Sequence, residues 1–314
     1  MPVPKVSLRA EPASERSPRA SGTWGIRPED AFASGRIVDH GYRIIDRIGG
    51  GAVTMVLRAR DLRLGRDVAL KVVRPAALAL PDAAERFVVE ARALARARDP
   101  SVVEVLALGE WACTPYLVME YVPGIPLDEW LALRQIRPPT LDEALALVDR
   151  ICLGVDAVHG SGLAFYDLTA ASFLVAPGLR AVVADLGASH AYPALGDDGD
   201  RVARDSSTTA PEVLLGSVTV PRGRERADVY AVGALAYRLL VGRYPFDDED
   251  ADQVMAAQLW RPPPPPRAFR RDLPRTFEPV LLGALEKDPA RRTASVHELR
   301  MSLHAARHAA RRSP

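Results

Sequence analysis

The chain has 314 residues, 41 basic against 40 acidic side chains, and 48% hydrophobic content. That balance excludes a mainly disordered chain and a bulk polybasic nucleic-acid binder, and the length asks for one large bilobal domain or two modest ones. The two cysteines, Cys113 and Cys152, exclude a disulfide framework and suit a reducing cytoplasm, while no apolar run approaches the ~20 residues that cross a bilayer.

Residues 1–38 are rich in Pro, Ser, Ala and Arg without apolar periodicity, and are expected to form a flexible N-terminal tail. Tyr42 to Arg60 (YRIIDRIGGGAVTMVLRAR) predicts two strands around a glycine turn. Asp67 to Val73 (DVALKVV) is a further strand with Lys71 in its middle, a position that on a lone strand would face solvent. Ala83 to Arg96 predicts a helix, because Phe87, Ala91, Leu94 and Ala95 share one stripe. Glu90 falls on the same stripe. A carboxylate there is costly unless a cation meets it, and Lys71 is the nearest candidate in sequence.

More strand-like segments occupy Val102 to Val122. Pro123-Gly124 then breaks the pattern and sets a lobe boundary: an N-lobe over 39–122 and a mainly helical C-lobe over 123–304. Thr140-Leu-Asp-Glu143 is a capping-box signature opening a helix, and Val229 to Val241 is apolar nearly all round, as in a buried central helix. A last helix starts near Ser295 (SVHE) and is expected to run into a basic tail over 305–314.

Two short strands, Phe173–Val175 and Ala181–Ala184, flank Pro177-Gly178, which suits a type II turn and hence a hairpin. Such a hairpin brings Asp167, just before its first strand, close to Asp185, at the end of its second. Two readings of this pair stand: a metal and proton-handling site, or ordinary helix and turn caps.

The order of these features resembles that of the bacterial serine/threonine protein kinase family, from about Tyr42 to Leu303. IGGGAVTMVLRARD is similar to the glycine-rich loop, VALK to the strand-lysine motif and RFVVEARALA to the glutamate helix. MEYVPG is similar to the hinge, YDLTAAS to the catalytic loop, DLG to the metal-binding motif and APE to the end of the activation segment; KDPARR continues the match.

The resemblance implies an α+β fold: a small antiparallel sheet lobe with one helix, and a larger, mainly helical lobe. It implies ATP with Mg²⁺ or Mn²⁺ as its chemistry and a protein substrate or regulated partner, with no nucleic acid and no membrane. By the same resemblance, Gly49 and Gly51 would let backbone amides approach phosphates, and Lys71, oriented by Glu90, would hold them. Val56, Ala69 and Leu174 would sandwich adenine behind Met119. Glu120 and Val122 would offer hinge backbone groups to the base, Asp185 would bind the metal, and Asp167 would orient the substrate hydroxyl and accept its proton. Asp228 would hold the catalytic-loop backbone, Glu212 would pair with Arg292, and Phe165 would join Leu94 and Leu186 in an apolar spine.

The chain also departs from the family pattern. Thr54 replaces the third loop glycine, which should stiffen the loop. The usual HRD reads Phe165-Tyr166-Asp167, and Tyr166 lacks the arginine's charge. Thr169 replaces the catalytic-loop lysine, Ser172 the second metal-binding asparagine, and Arg204-Asp205 the usual Gly-Thr. Two functions are therefore weighed: a Ser/Thr kinase of reduced activity, and a pseudokinase acting as a nucleotide-binding scaffold or allosteric regulator. With no span or sensor domain expected, a signal would arrive through the tails or a partner. His304 and His308 sit at metal-pair spacing but lack a third ligand, and the Pro262 to Pro266 run suits a rigid spacer. Ser206 to Thr209 fit either phosphorylation or a turn.

Overall fold

The computed structural model describes residues 31–51, 53–80, 82–134, 139–165, 167–186, 206–217 and 224–312. Most of the expected N-terminal tail, Tyr166 and the Arg204-Asp205 pair lie outside these residues.

Strands β1 (Ile37–Val38), β2 (Tyr42–Gly50), β3 (Thr54–Asp61), β4 (Arg66–Val73), β5 (Val105–Trp111) and β6 (Thr114–Glu120) form one antiparallel sheet in the order β1-β2-β3-β4-β6-β5. The period of two along β4 decides what each face buries. Val68, Leu70 and Val72 enter an outer cluster with Ile44, Leu57 and Tyr116. Ala69 and Val73 enter the main core together with Phe87, Ala91 and Leu94 of helix α1 (Ala83–Arg96). Lys71 shares that inner parity, so it is buried rather than solvent-facing.

The chain leaves the sheet through 121–124 into β7 (Ile125–Pro126) and helix α2 (Leu127–Leu133). Helix α3 (Leu141–Gly160) opens on the predicted capping box: Thr140 Oγ1 accepts the Glu143 amide while the Glu143 carboxylate accepts the Thr140 amide. The predicted hairpin is present as β8 (Phe173–Ala176) and β9 (Arg180–Val183), with β7 paired on its outer edge. Helices α4 (Pro211–Leu214), α5 (Glu225–Val241), α6 (Ala251–Trp260), α7 (Glu278–Ala284) and α8 (Val296–Arg312) complete the second lobe. α5 is buried from Ala227 through Tyr237, as its apolar sequence requires. No helix among the described residues is long and apolar enough to cross a membrane.

The lobes are sewn together where the α1–β5 connection meets β9. Val103 N donates to Val183 O at 3.0 Å and Val183 N donates to Ser101 O at 2.8 Å. Gly154 of α3 lies beneath this seam: a Cβ there would stand 2.6 Å from Ser101 O and 2.7 Å from Val183 Cγ2. Only glycine lets the helix approach so closely.

Both expected tail boundaries move outward. Ala31, Phe32 and Val38 are buried in the outer cluster of the small lobe, so ordered packing precedes residue 39. At the other end α8 continues through 305–312, because Val296, Leu299, Leu303 and Ala306 form one buried stripe. Its polar side is met by acids of α3. Asp149 accepts from Arg300 Nε at 2.7 Å and lies 2.6 Å from His304 Nε2, and Arg307 reaches Asp142. His304 is thus hydrogen-bonded to a carboxylate of α3.

Candidate active site

The site begins with the inner parity of β4. Lys71 pairs across the sheet with Val56 on β3 and Leu117 on β6, while Ala69 pairs with Met119. Val56, Ala69 and Met119 therefore lie on the inner side of the sheet, and Leu174 of β8 belongs to the same apolar cluster. Val122 is buried in the connection that follows β6. The Glu120 carboxylate accepts Arg180 Nη2 from β9 at 2.9 Å, an ion pair that spans the two lobes beside the hinge.

Lys71 Nζ stands 2.5 Å from Glu90 Oε1 and 3.1 Å from Asp185 Oδ1. Lys71 and Glu90 are almost fully buried, whereas about a third of the Asp185 side chain is exposed to the cleft. Burial acts to discharge Lys71, but the charges of Asp185 and Glu90 outweigh it and hold the ammonium above the ordinary lysine range. Glu90 Oε1 also accepts the Leu186 amide at 3.4 Å, so one carboxylate ties α1 to β4 and to the segment carrying Asp185. The sequence argument that two awkward buried charges explain each other holds geometrically.

The glycine turn is shaped by a residue the sequence reading did not single out. Gly50 has φ 112°, and a Cβ there would lie 2.5 Å from Met55 Cα and Thr54 O. Gly51 has open space around its missing side chain, and Gly49 meets nothing nearer than Val56 Cβ at 3.9 Å. Gly50 thus closes β2 opposite Met55 in a conformation that suits glycine, and Gly49 and Gly51 place no side chain over the turn. Thr54 is buried at the start of β3, its carbonyl accepting Gly51 N at 2.9 Å, and Arg74 Nε grips Gly51 O at 2.7 Å.

On the opposite wall, Asp167 precedes a 3₁₀ turn at Ala170–Ser172 that leads directly into β8. Ser172 is buried and its Oγ accepts the Thr169 amide at 3.2 Å; its carbonyl accepts Ala184 N at 3.0 Å. The hydroxyl is therefore engaged in holding the loop's own shape. Phe165, Phe173, Leu94 and Leu186 all belong to the main core, the two phenylalanine rings stacked with centroids 6.5 Å apart.

Beneath the loop, buried Asp228 of α5 accepts the Phe165 amide at 3.1 Å and lies 2.7 Å from His159 Nε2. Glu212 meets Arg292 through two parallel bonds of 2.7 and 3.0 Å. Arg292 also donates to the carbonyls of Arg226 and Glu286, so its guanidinium organises three segments. Thr208, one of the residues expected in a turn or as a phosphorylation site, lies in a 3₁₀ turn, and Tyr230, Gln258 and Lys287, which no sequence signal marked, join that turn to this lower framework.

The donor set suits a nucleotide with a divalent cation. A glycine turn without side-chain cover, a charged lysine held between two carboxylates, and an acid partly open to solvent are the elements such a ligand requires. A curled antiparallel sheet set over a helical lobe, with these groups between the two, is the bilobal α+β architecture of a protein-kinase-like fold.

A family model described as "Protein kinase domain" matches residues 42–303. The chain belongs to the protein kinase domain family. It is 32% identical over 276 residues to the serine/threonine-protein kinase Pkn1 of Myxococcus xanthus, covering 84% of this chain and 38% of that protein. It is 30% identical over 269 residues to the serine/threonine-protein kinase PknB of Mycobacterium tuberculosis, covering 83% of this chain and 42% of that protein. The chain thus spans about four-tenths of the length of these curated relatives. Among solved structures, the kinase domain of Mycobacterium tuberculosis PknI matches with a TM-score of 0.66 at 28% identity, covering 87% of this chain and 99% of that one.

Proposed function

We propose that the chain is an ATP-dependent serine/threonine protein kinase of reduced turnover, transferring the γ-phosphate of ATP to a hydroxyl of a protein substrate. The observation that carries this reading is the Glu90–Lys71–Asp185 cluster: a buried cation kept charged by two acids, one of them open to the cleft. In this reading Lys71 holds the α- and β-phosphates, and the backbone at Gly49 and Gly51 approaches them. Val56, Ala69 and Leu174 enclose adenine, whose edge meets the backbone of Glu120 and Val122. Asp185 holds Mg²⁺ or Mn²⁺, which when bound neutralises phosphate charge. Asp167 orients the acceptor hydroxyl and takes its proton.

The reduced turnover follows from two substitutions. Thr169 supplies no cation to the transferring phosphate, and Ser172 supplies a short hydroxyl already accepting the Thr169 amide, so most of the metal's hold falls to Asp185. Losing one preorganised transition-state donor costs on the order of a hundred- to a thousand-fold in rate, and two such losses need not multiply.

A second reading, a pseudokinase that binds nucleotide and regulates a partner protein, is favoured by the same engagement of Ser172. A thermal-shift titration with ATP and either metal, run beside labelled-phosphate transfer, separates the two. Stabilisation with transfer supports the kinase, stabilisation without transfer supports the scaffold, and neither rejects the nucleotide site. No nucleic acid or membrane partner enters either reading, and the two unpaired cysteines fit a cytoplasmic setting.

A further inference from the structure

A line of buried and part-buried hydrogen bonds runs from Lys287 to the carbonyl next to Asp167. Lys287 Nζ donates to Tyr230 Oη at 3.0 Å and to Ala257 O at 3.3 Å. Tyr230 Oη donates to Gln258 Oε1, and Gln258 Nε2 donates to Ser207 O at 2.8 Å. The next residue, Thr208, donates from Oγ1 to Leu168 O at 2.9 Å. Tyr230, Gln258 and Thr208 are completely buried. A primary amide so placed is costly unless both its ends are used. Gln258 uses its oxygen on α5 and its nitrogen on the turn that enters α4.

That arrangement does more than fill space. The 3₁₀ turn at Ser206–Thr208 is the described stretch immediately before the Ala210-Pro211-Glu212 motif, and its sequence is polar. The Gln258 amide holds the Ser207 carbonyl from one side, and the Thr208 hydroxyl is anchored on the Leu168 carbonyl from the other.

We propose that Gln258 is a positioning residue for the protein-substrate half of the reaction: it fixes the Ser207–Thr208 turn so that Thr208 braces the catalytic loop at Leu168, beside Asp167. The proposal rests on the reading of Asp167 as the residue that orients the acceptor hydroxyl. The relay couples α6 to Asp167 without touching Lys71 or Asp185, so it acts on phosphate acceptance and leaves nucleotide binding alone.

Gln258→Glu preserves size and the acceptor for Tyr230 but sets a carboxylate oxygen against Ser207 O. Thr208→Val removes the hydroxyl at constant shape, and Thr208→Ser restores it. In the full chain, kcat, KM for ATP, and amide hydrogen exchange over residues 167–173 and 206–214 are measured for each. Both disrupting variants are expected to lower kcat at least tenfold with KM for ATP within twofold, and to speed exchange at least tenfold in those two segments. Thr208→Ser recovers both readouts, and the double variant loses no more than the worse single one. Unchanged kcat with unchanged exchange overturns the proposal. So does a loss of protection spread equally through α3 and α5, which marks general loosening. If the wild-type chain transfers no phosphate, the reading of Asp167 fails. The exchange arm then still decides the brace: local deprotection supports it, and its absence overturns it.

Discussion

Lys71 and Glu90 meet 2.5 Å apart with side chains 1% and 2% exposed, making a buried ion pair that joins β4 to α1. Removing one partner strands the other charge, which typically costs about 3–5 kcal/mol, whereas replacing both with apolar groups is often neutral or better. Lys71→Met is therefore expected to lower chemical-denaturation stability by that order and to abolish ATP-induced stabilisation. The double variant Lys71→Met with Glu90→Leu should recover most of the stability and none of the nucleotide response. Equal recovery of both would show that Lys71 has no role toward ATP.

Arg292 presents its planar fork to Glu212 and its remaining donors to backbone carbonyls. Lysine carries the charge without the fork, so Arg292→Lys should behave as a broken buried pair, losing about 3 kcal/mol in urea unfolding. The remaining folded protein should bind nucleotide as before, because Lys71 and Asp185 do not depend on this pair.

Gly154→Ala tests the seam between the lobes. The added methyl would meet Ser101 O and Val183 Cγ2 well inside contact distance, and both belong to ordered backbone or β-branched side chain. Overpacking of this kind costs about 1–3 kcal/mol, read as a lowered denaturant midpoint. Gly160→Ala, where nothing lies within 4 Å, is the control and should raise helix stability slightly.

Lys287 supplies the pH dependence. Burial and the nearby Arg292 charge pull its ammonium down to about 7. An unfolded lysine titrates near 10.4. Between about 7 and that value the unfolded chain holds the extra proton, so this group makes stability rise as pH rises through the window. Below pH 7 both states are protonated and its contribution is flat at its least favourable value. Thermal unfolding at pH 7 and pH 9 should show wild type gaining stability relative to Lys287→Met. A difference that shrinks with pH would contradict the assignment.

What was legible in the sequence was whatever short spacing could carry. Glu90 on an apolar stripe and Lys71 inside an apolar strand each demanded a partner, and the hairpin around Pro177-Gly178 announced the approach of Asp185. The Thr140–Glu143 cap was readable because it is written within four residues. The SVHE cap was half right: Ser295 Oγ accepts the Glu298 amide, but the glutamate turns to the Ala294 amide instead.

Partners far apart in the chain left no such mark. The run at 305–312 read as a solvated tail because the acids that meet it, Asp142 and Asp149, lie on α3. Lys287, Tyr230 and Gln258 meet only after α5, α6 and the KDPARR segment have packed, and no local period foretells it. Among the glycines, GGGA carries no hint of which residue must take a positive φ; that depends on the β2–β3 register, which sets Gly50 against Met55. Phe32 was hidden because it lies in a turn ahead of β1, where no period marks a buried side chain.

The catalytic-loop substitutions make their own prediction. Thr169→Lys with Ser172→Asn restores the cation and the amide, and should raise kcat by at least tenfold with little change in KM for ATP. No gain would mean that these two positions do not limit turnover.

The most direct measurement is transfer of labelled γ-phosphate from ATP with Mg²⁺ or Mn²⁺, comparing wild type, Lys71→Met and Asp167→Asn at matched folded concentration. A slow transfer by wild type that both variants abolish is the predicted result. Transfer that persists undiminished in both would contradict the account and assign the signal to another enzyme.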